Sequence, residues 1–119
     1  MRKIYHLANC TTCQRILKEI QPTEDFEYQN IKEELITATQ IEEMKDMAGS
    51  YEALFSRRAM KYKEWGLKNK KLGEEDYKNY ILQEYTFLKR PVIIVDEDIF
   101  VGNSKKVVQA AKERIALIK

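Results

Sequence analysis
Apolar positions change period several times along the chain, and each change marks an element. Lys3 to Leu7 (KIYHL) is short, β-branched and aromatic, which predicts a strand at the start. Cys13, Ile16, Leu17 and Ile20 then recur at i, i+3, i+4 and i+7, one apolar stripe of a helix that Pro22 stops. Phe26 to Ile31 (FEYQNI) alternates again and reads as a second strand. The first thirty residues are therefore expected to form a β-α-β unit with Cys10 at the strand-to-helix junction.

Thr39 and Glu42 have capping-box spacing ahead of Ile41, Met44 and Met47, so a helix is predicted from Thr39 to a stop at Gly49, with Ser50 capping the next. From there to Leu88 the chain is charged and aromatic, and Tyr77, Ile81, Tyr85 and Leu88 keep helical spacing. Two or three further short helices are expected, giving a helical insert at about 39–88 within a single domain spanning 1–119. Pro91 to Val95 is a strongly β-prone run, Asp96-Glu97-Asp98 a polar turn and Ile99 to Val101 a partner strand, together a hairpin. Gly102-Asn103-Ser104 caps a last helix whose Val107, Ala111, Ile115 and Ile118 share a face. The order β-α-β, helices, β-β-α, with Cys-x-x-Cys at the first helix start and a proline opening the third strand, predicts an α/β, thioredoxin-like fold with a small mixed sheet.

Composition narrows the function classes. A chain of 119 residues that is 44% hydrophobic, with 4 Gly and 2 Pro, can bury one real core and is neither disordered nor repetitive. With 21 basic and 19 acidic side chains the net charge is +2, too small an excess for direct nucleic-acid binding. No run of about 18 apolar residues predicts a membrane span, and MRKIYHLANC lacks the character of a secretory leader, so a cytoplasmic protein is expected. Thiols stay reduced in that compartment. A close cysteine pair then points to catalysis, regulation or metal binding rather than to a structural staple.

Cys10 is placed where a helix N-terminus offers unpaired N–H groups and partial positive charge, the means by which a thiol of ordinary pKa about 8.5 becomes a thiolate. Cys13, one turn further on the same side, is in reach to attack a mixed disulfide formed at Cys10 and so to resolve it. Zinc calls for about four N or S ligands, and only Cys10, Cys13 and His6 are at hand, so no metal site is expected. Two buried cysteines acting as small hydrophobes are the inert alternative. His6, on a strand, is either structural or an imidazolium that stabilises the Cys10 thiolate. Arg90 precedes Pro91, a candidate cis bond facing the active cysteine, and its planar fork suits an oxyanion or an oxidised sulfur.

The stretches YHLANCTTCQR, AGSYEALFSRRAMKYKEWGL and FLKRPVIIVDEDIFVGNSKKVV together resemble the arsenate-reductase/Spx family of thioredoxin-like proteins over nearly the whole chain. Resemblance to the arsenate reductases implies Cys10 as nucleophile and His6, Arg90 and an arginine of the Leu-Phe-Ser-Arg-Arg stretch (Arg57 or Arg58) as site residues, with Pro91 beside the substrate. It implies no bound cofactor, glutathione as co-substrate, and glutaredoxin or thioredoxin as partner. Those reductases commonly have Ser-Arg after the active cysteine region and a third arginine beyond the hairpin, where this chain has Cys13-Gln14 and the lysines Lys105 and Lys106. Resemblance to the Spx regulators implies instead a Cys10–Cys13 disulfide switch that alters binding to RNA polymerase.

Overall fold
A computed structural model describes residues 1–119. Its elements in chain order are β1 (Arg2–His6), α1 (Thr11–Ile20), β2 (Glu27–Asn30), α2 (Ala38–Ala48), α3 (Met60–Glu64), α4 (Glu74–Gln83), β3 (Val92–Val95), β4 (Asp98–Val101) and α5 (Lys105–Ala116), with single 3₁₀ turns at Glu52–Leu54, Leu67–Asn69 and Tyr85–Phe87. The chain divides into two compact units, one built from residues 1–34 and 90–119, the other from 35–89.

The first unit holds a four-stranded sheet in the order β2-β1-β3-β4. β1 runs parallel to β2, through the α1 crossover, and antiparallel to β3, which forms a hairpin with β4. This is the mixed sheet and the thioredoxin-like order expected. Ile4 and its neighbour Ile93 project with Val95 onto Ile16 and Ile20 of α1 and Val108, Ala111 and Ile115 of α5, closing one core. Burying each such aliphatic chain contributes roughly 1.5–3 kcal/mol. All four residues of β3 are buried, which is why VIIV reads as an unbroken apolar run rather than an alternation.

Element ends shift slightly from expectation. β1 starts at Arg2 because the Met1 carbonyl accepts the Asp96 N–H at 2.7 Å and extends the ladder toward the hairpin turn. Asp96 there has φ 56°, a left-handed conformation that aspartate tolerates. Arg2 donates to Asp96 and Asp25, and Arg114 to Asp98 at 2.8 Å, so charge pairs brace this turn. On α5 it is Val108, not Val107, that is buried, because Ser104 caps the helix through the Val107 N–H at 3.2 Å and sets the face.

In the second unit the cap of α2 lies two residues before the predicted Thr39. Thr37 Oγ1 accepts the Gln40 N–H and Gln40 Oε1 accepts the Thr37 N–H, both at 3.1 Å, so the capping box is Thr37–Gln40 and Thr39 lies inside the first turn. Gly49 ends the helix at φ 99°, as predicted. Ser50 Oγ accepts the Ala53 N–H at 3.1 Å at the following 3₁₀ turn, and the Glu74 carboxylate caps the same turn from the Tyr51 and Glu52 N–H groups. α4 carries Tyr77 and Ile81 on its buried face but stops at Gln83, so Tyr85 and Leu88 are not on it: Glu84 is extended and its carboxylate accepts the Thr86 N–H to start a new turn. Phe87 is thereby turned inward, stacked on Phe55 at 5.0 Å with Trp65 and Tyr80 against it. No helix of the chain is long and apolar enough to cross a membrane.

Candidate active site
Cys10 is the N-cap of α1, with extended backbone (φ −89°, ψ 118°) and a carbonyl that accepts the Gln14 N–H at 3.0 Å. The chain reaches it through a tight turn closed by the Cys10 N–H on the Leu7 carbonyl at 3.1 Å. Two side chains hold that turn. Gln14 Nε2 donates to the Ala8 carbonyl at 2.8 Å, and Asn30 Oδ1, at the end of β2, accepts the Ala8 N–H at 3.4 Å. The peptide groups before Cys10 are thus tied to both the helix and the sheet.

The two sulfurs share one environment and respond in opposite directions. Cys10 is partly exposed; Cys13 is fully buried, and both are free thiols. Partial burial of Cys10 works against ionisation. The Cys13 N–H, the Cys13 thiol, the Thr12 N–H and the positive charge of Arg90 together outweigh it and hold the Cys10 pKa below its ordinary value. At Cys13 burial dominates, a backbone hydrogen bond from Leu7 opposes it, and the charge and hydrogen bond of Cys10 add to it, pushing the thiol up to about 11 despite Arg90. The Cys13 thiol is therefore the donor of the pair and the Cys10 sulfur the acceptor, the more acidic of the two.

Arg90 is joined to Pro91 by a cis peptide bond, and the Pro91 carbonyl accepts the Gly102 N–H at 3.0 Å, which ties the loop to the far end of the hairpin. The Arg90 charge acts on both cysteines. His6 is in the same unit, its ring edge-on to Tyr28 at 5.7 Å. Burial lowers its pKa and so works against the charged form of the ring. Arg57 and Arg58 belong to the second unit. Arg57 donates to Glu52 at 2.7 Å and to the Tyr77 hydroxyl at 3.0 Å, with its guanidinium over the Tyr77 ring; Arg58 is exposed.

Within one unit, then, the fold gathers Cys10, Cys13, Arg90 and Pro91. Gln14 and Asn30 join them as residues the apolar pattern does not single out. For Gln14 the signal was available, since it is the first position of α1 whose long amide can fold back on the turn before the helix; Asn30 is brought there only by strand pairing. No group of three or more His, Cys, Asp or Glu side chains is arranged to hold a metal ion.

The sequence model of the ArsC family matches residues 5–111. No curated protein matches the chain. Among solved structures, the chain is similar to a proposed arsenate reductase from Yersinia pestis, 16% identical, with 92% of this chain and 99% of that one covered and a TM-score of 0.76. It is similar to an arsenate reductase from Vibrio cholerae, 15% identical, over 99% and 97% of the two chains, TM-score 0.75. A Staphylococcus aureus protein is 25% identical over 92% and 97%, with a TM-score of 0.71.

Proposed function
The chain belongs to the ArsC family, and from that premise we propose that it is a thiol-dependent reductase in which Cys10 attacks an oxyanion, arsenate in the first instance. Family membership supports thiol-based redox chemistry. The observation that carries it is the opposed acidity of Cys10 and Cys13 at one helix start under the charge of Arg90.

In this reading the Cys10 thiolate forms a bond to arsenic while one arsenate hydroxyl takes up a proton and leaves as water. Arg90, whose fork can bind two oxygens, offsets their charge. The glutathione thiolate then attacks the Cys10 sulfur. The sulfur–arsenic bond breaks, its electron pair stays on arsenic as arsenite, and Cys10 is left in a mixed disulfide with glutathione. Cys13 attacks that sulfur in turn, expels glutathione as thiolate and closes a Cys10–Cys13 disulfide, which glutaredoxin or thioredoxin reduces with two electrons. Once Cys10 is covalently bonded, its negative charge no longer opposes ionisation of Cys13, so the second thiol becomes easier to deprotonate at the step that needs it.

The test is arsenate reduction by the full chain with glutathione and glutaredoxin. Turnover should vanish in Cys10→Ser, whereas Cys13→Ser should accumulate the glutathione mixed disulfide, visible as added mass. Equal and negligible effects of the two substitutions, or no arsenate-dependent oxidation of glutathione by the unmodified protein, would overturn the assignment.

A further inference from the structure
Between Arg57 and Lys71 the chain carries seven of its 21 basic residues and one acid, Glu64, while outside this stretch acidic side chains outnumber basic ones. Arg57 is spent on Glu52 and Lys61 on Glu64 at 3.3 Å. Arg58, Lys63, Lys68, Lys70 and Lys71 are exposed and form no ion pair. Consecutive turns keep this stretch short: the Gly66 N–H donates to the Lys63 carbonyl at 3.1 Å, Asn69 to Gly66 at 3.2 Å and Lys70 to Leu67 at 3.1 Å. Like charges so confined raise a local positive field that surface ion pairs leave uncancelled.

The same stretch opens a groove of about 630 Å³, bounded by Arg57, Arg58, Ala59, Met60, Lys63 and Glu64. Met60, in its lining, is 79% exposed and offers a flexible thioether to whatever enters. The neighbouring aromatic rings do not line the groove and pack on one another: Trp65, 38% exposed, lies against Phe87 at 5.4 Å and Tyr80 at 6.0 Å, and Tyr62 against Phe55 at 6.0 Å. Single-stranded nucleic acid is held by bases stacked on ring faces, and no aromatic residue lines this groove.

We propose that this face docks an acidic, extended segment of a partner protein, one apolar side chain of which enters the groove beside Met60 while flanking carboxylates meet Arg58, Lys63 and the lysines that follow α3. The positive field steers the segment in, and the groove selects for an apolar anchor within it. The acidic balance of the remaining surface disfavours other landing sites and so fixes where the segment binds. This docking does not depend on the thiol chemistry.

The test is fluorescence anisotropy of a labelled peptide, alternating Asp and Glu around one central Leu, titrated with the full chain. Saturable binding is expected, weakening with added salt. Lys63→Glu combined with Lys70→Glu should weaken it at least about tenfold. Met60→Ser should weaken it several-fold without changing the salt dependence, and a peptide with Ser in place of Leu should show the same loss on the unaltered protein. Alkylation of Cys10 at the unaltered rate marks each variant as folded. The proposal is overturned by absence of saturable binding, by indifference to the Leu-to-Ser exchange, or by tighter binding of a single-stranded oligothymidine than of the peptide.

Discussion
The Cys13 thiol donates a hydrogen bond to the Cys10 sulfur, so the buried thiol is one of the groups that hold the Cys10 pKa down. Alkylation by iodoacetamide at pH 7 should therefore modify Cys10 and spare Cys13, and the rate should rise with pH through a midpoint below the ordinary cysteine value. Cys13→Ala removes one donor and should move that midpoint up. Mass mapping of the labelled peptide against pH reads both effects. Labelling of Cys13 first would contradict the assignment of roles.

Gln14 tests whether the turn before Cys10 must be held. Gln14→Leu keeps helix propensity and volume but leaves the Ala8 carbonyl without its 2.8 Å partner. Loss of one such bond costs about 0.5–1.5 kcal/mol. The melting temperature should fall modestly, and Cys10 should alkylate several-fold more slowly. An unchanged alkylation rate with the same fall in stability would reduce Gln14 to a structural residue.

Arg90 combines a charge with a geometry, and two substitutions separate them. Arg90→Lys retains the positive charge near both sulfurs and should leave the Cys10 titration close to that of the unaltered chain. Arg90→Leu removes it and should raise the Cys10 midpoint. Both lose the two-pronged fork, so arsenate turnover should drop in both. Equal titration curves for the two variants would show that the charge of Arg90 is not what acidifies Cys10.

Cys13 also fixes how stability depends on alkali. Its folded pKa is raised from 9.0 to about 11, so the native state gains from keeping it protonated at any pH below 9, and that gain is lost as pH climbs through 11. Melting temperatures recorded from pH 8 to 11 should fall for the unaltered protein and fall less steeply for Cys13→Ala. Parallel curves would mean that Cys13 ionises as easily folded as unfolded.

Much of the sheet unit was legible because its signals do not compete. VIIV, the Ile16–Ile20 stripe and the Ser104 cap each favour one local structure, and all agree with one topology. The start of α2 was less so: Thr37-x-x-Gln40 and Thr39-x-x-Glu42 are overlapping capping boxes, and only the folded chain decides between them. The end of α4 was hidden because Tyr85 and Leu88 keep helical spacing although Glu84 breaks the helix. At the site, Cys10, Cys13 and Arg90 follow from chemistry and spacing. The contribution of Asn30 does not, since only the pairing of β2 with β1 places it beside Ala8.

The unit that carries Cys10 is assembled from residues 1–34 and 90–119, and β1 finds one of its two neighbours only in β3. During synthesis the ribosome delivers α1 some eighty residues ahead of Arg90. The nascent polypeptide thus emerges with a cysteine of more nearly ordinary acidity, and the charge that helps to ionise it arrives only with Arg90.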